Sequence, residues 1–260
     1  MDPYDSGLMT RLAQLPSSLR LRLEQRAALK VIAGLMNFDA ASVARVARAA
    51  GHGGADLIDV ACDPELVALA IRESGGVPVC VSAVDPELFP AAVAAGAQMV
   101  EIGNFDAFYP QGRIFDAEEV LELTRHTRTL LPNVTLSVTV PHTLPLDRQE
   151  QLAIDLVAVG ADLIQTEGGT SAHPLSPGVQ GLIEKASPTL AAAHLISRAV
   201  AVPVLCASGL SAVTLPLAQA AGAAGVGVGS AINRLSDELA MVAVVRSLRE
   251  SLGTVVATRV

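Results

Sequence analysis

Aromatic side chains make up only 3% of the 260 residues, and cysteine occurs three times. Cys62, Cys80 and Cys206 show no C-x-x-C spacing and are odd in number. That argues against a disulfide framework or a thiolate zinc site, and reads as buried thiols in a reducing compartment. No apolar run approaches the length needed to cross a bilayer. The opening Met1-Asp2-Pro3-Tyr4-Asp5 carries early acids and no apolar signal core, so a cytoplasmic protein is expected. There is no H-x-x-x-H or H-x-H pair to nucleate a metal site, and no G-x-G-x-x-G behind the first strand for a dinucleotide. Lysine is scarce, at positions 30 and 185 only. With a formal net charge of -8, most of the surface would repel a phosphate backbone, which argues against nucleic acid as a partner.

Small apolar residues are what the chain has in quantity: hydrophobic side chains reach 51%, dominated by Ala and Val. Such residues suit tightly packed parallel strands. Short apolar runs at Leu29–Gly34, Ala55–Val60, Val77–Ser82, Gln98–Gly103, Val134–Val140, Asp162–Glu167, Val202–Ala207 and Ala223–Val228 read as strands. Between them lie helical patterns at Ala40–Gly51, Pro64–Ser74, Asp116–Leu131, Leu146–Gly160 and Ser236–Leu252. Asp39, Asp63, Asp85 and Asp116 can each cap a first turn, and Gly51, Gly75, Gly96, Gly160 and Gly222 can end helices. Eight strands alternating with helices predict an α/β fold, a single (β/α)8 TIM barrel over residues 29–252. An N-terminal extension, residues 1–28, is expected to contribute an extra amphipathic helix, Leu8–Ala28, that closes the barrel's N-terminal face. Residues 253–260 read as a peripheral tail.

Two connections are long, Asn104–Phe115 with most of the aromatics and Gly168–Ser187, rich in Gly, Ser and Pro. Both fall on the C-terminal face, where barrel enzymes build their sites. The last two strands run into Cys206-Ala207-Ser208-Gly209 and Gly225-Val226-Gly227-Val228-Gly229-Ser230. Loops with so little side-chain bulk can offer backbone N–H groups to an anion, and this pair is the usual barrel phosphate site. Ser208, Gly209, Gly229 and Ser230 are the phosphate candidates; close packing of helices on strands is the alternative reason for the glycines.

Polar residues punctuate the strands at inward-compatible positions, and charges in a barrel lumen must be paired, hydrated or used. Lys30, Glu101, His142 and Glu167 are the catalytic candidates. Lys30 would form a Schiff base if its pKa were lowered, or would pair with Glu101 or Glu167. Glu101 and Glu167 would act as general acid or base, and His142, just past the fifth strand, would carry protons near neutral pH. Asp59, Ser82, Asn104, Arg113 and Gln165 complete the expected pocket, with Arg113 reaching a phosphate or carboxylate from its loop. A metal is not expected, although Asp59, Glu101 and Glu167 together offer oxygens for a hydrated Mg2+.

The segments Ala28-Leu29-Lys30-Val31-Ile32-Ala33-Gly34, Ile58-Asp59-Val60-Ala61-Cys62-Asp63-Pro64, Glu101 through Tyr109, Gln111-Gly112-Arg113, Val138 through His142 and Gln165 through Ser171 resemble the hypothetical chloroplast reading frame 23 family of cyanobacteria and algal plastids. The resemblance spans essentially the whole barrel. It implies an aldolase-type barrel in a cyanobacterial cytoplasm or plastid stroma, and it assigns no catalytic residue.

Three functions fit these residues. The first is an isomerase or lyase acting on a small phosphorylated metabolite beside a carbonyl; the second is a protein binding FMN through the same glycine loops; the third is a non-catalytic sensor or assembly partner. Each takes a small phosphorylated ligand, and homo-oligomerisation is open in all three.

Overall fold

The apolar runs become eight parallel strands: β1 (Ala28–Gly34), β2 (Leu57–Ala61), β3 (Val79–Ala83), β4 (Met99–Ile102), β5 (Thr135–Thr139), β6 (Leu163–Gln165), β7 (Val204–Ala207) and β8 (Gly225–Val228). In the computed structural model, which describes residues 11–253, they pair in chain order and β8 closes back on β1. The (β/α)8 barrel expected from the alternation is therefore present. Its helices are α1 (Ser17–Glu24), α2 (Ala40–Gly53), α3 (Pro64–Glu73), α4 (Phe89–Ala94), α5 (Ala117–Leu130), α6 (Leu146–Ala158), α7 (Gly178–Ala199), α8 (Leu215–Ala220), α9 (Ser230–Asn233) and α10 (Glu238–Ser251). Among the described residues, no helix is long and apolar enough to cross a membrane.

The aspartates cap as expected. Asp39, Asp63 and Asp116 accept backbone N–H groups from the first turns of α2, α3 and α5, and Asp85 caps a single 3-10 turn ahead of α4. The expected stop at Gly51 is corrected: α2 runs on to Gly53 and ends at Gly54, which is left-handed at φ +83°. Gly51 is small for a different reason, since a Cβ there would lie 2.2 Å from the carbonyl oxygen of Ser74.

The connection expected over Gly168–Ser187 is likewise half as long, because α7 already begins at Gly178. Its Gly, Ser and Pro content reads as loop, yet Glu184 folds back within the helix and accepts the backbone N–H groups of Leu175 and Ser176 at 2.7 and 3.0 Å. That bonding satisfies the turn entering the helix, and Pro188 is accommodated inside it.

Alternation along the strands sorts the side chains into two cores. Outward residues such as Leu29, Val31, Ile58, Val60, Val81 and Val100 pack under the helices. At the N-terminal end of the lumen, Ala28, Leu57, Cys80, Met99, Leu163 and Leu205 form an apolar layer. Leu15, Leu19 and Leu23 plug it from below, each buried leucine contributing about 2 kcal/mol. The extension thus closes the N-terminal face as expected, although its regular helix is only Ser17–Glu24; residues 8–10 of the expected helix and 254–260 of the tail lie outside the described residues. All three cysteines are buried and free.

Candidate active site at the C-terminal mouth

The next layer up the lumen is polar. Lys30 Nζ donates to Glu101 Oε2 at 2.8 Å and to Gln165 Oε1 at 3.1 Å, and pairs with Asp59 Oδ2 at 3.2 Å. Ser82 donates to Asp59 at 2.6 Å, Ser137 to Glu101 at 2.7 Å, and the Gln165 amide to Glu101 Oε1 at 2.7 Å. Asn104, held left-handed at φ +61°, roofs this layer and donates to both Asp59 and Glu101 at 3.2 Å. All four charged or amide groups at its centre, Lys30, Asp59, Glu101 and Gln165, are essentially inaccessible.

This arrangement decides between the two uses of Lys30. Burial alone would lower its pKa, but the charges of Asp59 and Glu101 outweigh it and hold the ammonium above its ordinary value. A lysine so protonated is a poor nucleophile, so the geometry matches carboxylate pairing and not a Schiff base. Burial raises the Glu101 pKa against the pull of Lys30. Neither Lys30 nor Glu101 lines the cavity above; Asp59, Ser82 and Gln165 also lie beneath it, and Asn104 is the member that reaches it.

At the mouth, Glu167 sits just past β6 and is 3% exposed. Its Oε1 accepts from the Tyr109 hydroxyl at 2.5 Å and from the His142 backbone N–H at 3.1 Å, with His142 Nδ1 at 3.2 Å. Oε2 has one long contact, the Asp106 backbone N–H at 3.3 Å. Burial, reinforced by the nearby Asp106 charge, pushes the Glu167 carboxyl above the usual range, while His142 and Tyr109 pull it down. Burial lowers the His142 pKa, but its contacts with Glu167 outweigh this and raise it overall. His142 and Tyr109 stand behind the carboxylates; Glu167 and Asp106 face a cavity of about 580 Å³.

The cavity opens between the ends of β1, β4, β6, β7 and β8. Ile32, Leu35, Leu210 and Val228 give it an apolar wall, and Ser208, Gly209, Gly229, Ser230, Asn233 and Arg234 line the side of the last two strands. The four phosphate candidates are thus gathered on one side. Ser208 is left-handed at φ +74°, and its hydroxyl donates to Asp106 Oδ2 at 2.8 Å while accepting from the Thr170 N–H at 2.8 Å. Its only hydroxyl proton is therefore committed to Asp106. Gly209 packs directly on Gly169, where a Cβ would meet the other glycine's Cα at 2.6 Å, so close loop packing accounts for that glycine. Gly229 leads into α9, whose first turn has no side-chain cap.

Arg113 lies away from the cavity: it pairs with Glu119 and stacks 4.2 Å over the Phe115 ring. The aromatic loop folds on itself, Phe105 and Phe115 rings lying 4.4 Å apart, and this staple presents Asp106 and Tyr109 to the barrel mouth. Asp106, Tyr109 and Arg234 were not distinguishable by spacing; their only signals were the length of the loop after β4 and the proximity of Arg234 to the last glycine motif. The oxygens expected to hold Mg2+ do not converge, because Lys30 occupies Asp59 and Glu101. Among the described residues, the set that does converge is Asp106, His142 and Glu167, with ligand atoms within 4.8 Å of one another, a mixed carboxylate and imidazole donor set suited to a divalent transition metal.

A family model described as "Protein of unknown function (DUF561)" matches residues 15–257. The chain belongs to that family. Its DUF561 relatives by sequence include the "Uncharacterized protein ycf23" of Cyanophora paradoxa, 43% identical over 220 residues, covering 85% of this chain and 90% of the relative. The protein of the same name from Pyropia yezoensis is 35% identical over 238 residues, covering 92% and 87%. The resemblance read from the strand-end segments is thereby borne out. Among solved structures, the DUF561 barrel resembles a 3-hexulose-6-phosphate synthase (TM-score 0.60, 19% identity, 86% of this chain and 99% of that one). It also resembles the thiamine phosphate pyrophosphorylase of Pyrococcus furiosus (TM-score 0.58, 19% identity, 89% and 97%). At these identities the likeness is one of fold.

Proposed function

We propose that the protein is an enzyme of the isomerase or lyase type, moving a proton beside the carbonyl of a small phosphorylated metabolite. The observation that carries this reading is Glu167: a buried carboxyl, raised in pKa, lining the cavity with Oε1 saturated by Tyr109 and His142 and Oε2 nearly unengaged. A carboxyl in that state exchanges a proton at Oε2 closer to neutral pH than an exposed one does. Tyr109 and His142 orient it, with His142 Nδ1 3.2 Å from Glu167 and 3.7 Å from Asp106. Asn104 adds an amide at the cavity floor. Gly229, Ser230 and Arg234 would receive the phosphate, with Ser208 and Gly209 shaping the adjoining loop. The fold neighbours whose names contain a phosphorylated compound are consistent with this ligand class. The buried free thiols fit a reducing compartment, cytoplasm or plastid stroma.

The test is native mass spectrometry of protein purified from its own host, followed by turnover of whatever phosphorylated compound co-purifies. A retained phosphorylated carbonyl compound, turned over by wild type and about 10²- to 10⁴-fold more slowly by Glu167→Gln, is the expected result. A yellow protein absorbing near about 450 nm would replace the substrate phosphate with that of FMN. Binding without turnover would make the chain a sensor, and failure to bind any phosphorylated compound would remove the reading altogether.

A further inference from the structure

Lys185, the chain's second lysine, enters neither the buried network nor the proton-transfer group. Its position is fixed by its helix. One turn further along α7, Thr189 donates to the carbonyl of Ala207, the last residue of β7, at 2.6 Å. Residues four apart share a helix face, and α7 runs away from the mouth, so Lys185 stands one turn nearer the mouth on the face that covers the β7 end. The Lys185 backbone lies against the next loop: a Cβ on Gly209 would come within 3.0 Å of its carbonyl oxygen. Lys185 is half-buried there.

Arg234 approaches the same loops from the other side. It directly follows α9, and α9 is tied to the end of β1 by Asn233, whose amide donates to the Ile32 and Ala33 carbonyls at 2.9 and 3.3 Å. That tie sets Arg234 on the cavity wall beside Gly229. Among the described residues, neither Lys185 nor Arg234 forms a salt bridge, although many of the chain's other arginines do. The loop that Lys185 backs, through Gly209, lines the same cavity as Arg234; burial first, then the Arg234 charge, depresses the Lys185 pKa. Like charges so placed, Arg234 on the cavity wall and Lys185 behind the Gly209 loop, favour an anion that joins them.

Resting on the phosphate reading above, we infer that Lys185 and Arg234 are the specificity-determining cations of the ligand's phosphoryl end, clamping a dianionic phosphate across the β7 and β8 loops from outside. A site of this kind favours a doubly charged phosphoryl group over a carboxylate or an uncharged sugar, because two cations are fully balanced by a dianion and only half balanced by a monoanion. The glycine loops supply room, and the two side chains supply the charge.

Titration calorimetry of the full chain with inorganic phosphate and inorganic pyrophosphate, at several salt concentrations, tests this. Lys185→Gln and Arg234→Gln, both at accessible positions outside the packed core, should each weaken anion binding about tenfold or more and flatten its salt dependence, with no loss of thermal stability in the absence of anion. Lys185→Arg should restore much of the loss. If wild type binds neither anion, the phosphate reading itself fails. If wild type binds and both Gln variants bind equally well, with the same salt dependence, the clamp is overturned while the phosphate reading stands.

Discussion

Replacing Lys30 by Met is the most informative perturbation of the barrel interior. The lysine is the one cation facing two buried carboxylates, Asp59 at 3.2 Å and Glu101 at 2.8 Å. Methionine keeps the apolar stem but leaves both carboxylates without a counter-charge, and breaking a buried pair by removing one partner costs about 3–5 kcal/mol. Urea unfolding followed by far-UV circular dichroism would read the loss. For a slope of about 2–3 kcal/mol/M, the midpoint should fall by about 1–2.5 M. The pH dependence carries a second signature. Without Lys30, the Glu101 pKa rises further above its unfolded value, so the folded state binds the extra proton and stability falls as pH rises through that window. The deficit of the variant should therefore be smaller at pH 5 than at pH 8, and adding Glu101→Gln should recover part of it. A cost below about 1 kcal/mol, independent of pH, would refute the account of this layer as a charge-balanced core. Borohydride treatment with any accepted carbonyl substrate should leave Lys30 unmodified; an adduct there would overturn the pairing assignment.

Other outcomes follow from the same contacts. Tyr109→Phe removes a hydrogen bond that favours ionised Glu167, so the acid limb of kcat/KM should move to higher pH with the fold intact; an unmoved limb would exclude Glu167 as the titrating base. Leu19→Ala hollows the N-terminal plug and should cost about 2–5 kcal/mol by chemical denaturation, while ligand affinity at the opposite face stays unchanged. Asp106→Asn should weaken binding of Mn2+, followed by its paramagnetic relaxation of water protons, if Asp106, His142 and Glu167 act as a cation site; equal affinity in the variant would dismiss that use of the triad.

Much of this molecule is legible before folding. The period of β-branched runs, the Asp caps and the late glycine pair are local signals, and local signals specify elements and their order; eight βα units in succession then leave little besides a barrel. The inward parity of Lys30, Asp59, Ser82, Glu101 and Gln165 also follows from alternation along a strand, and the five side chains meet in one buried layer. Their depth did not follow. Whether a lumen side chain faces the ligand or the layer beneath depends on the stagger between neighbouring strands, and stagger sets Lys30 and Glu101 one layer below Glu167. Asp106 and Tyr109 were hidden for a related reason. They lie 61 and 58 residues from Glu167, and nothing near them in sequence records that a stapled aromatic loop will swing them over β6. So the residues themselves determined the barrel, its plug and the end at which the cavity opens. Only closure of the barrel decided which carboxyl meets the cavity, because burial, and with it the raised pKa of Glu167, comes from residues remote in the chain.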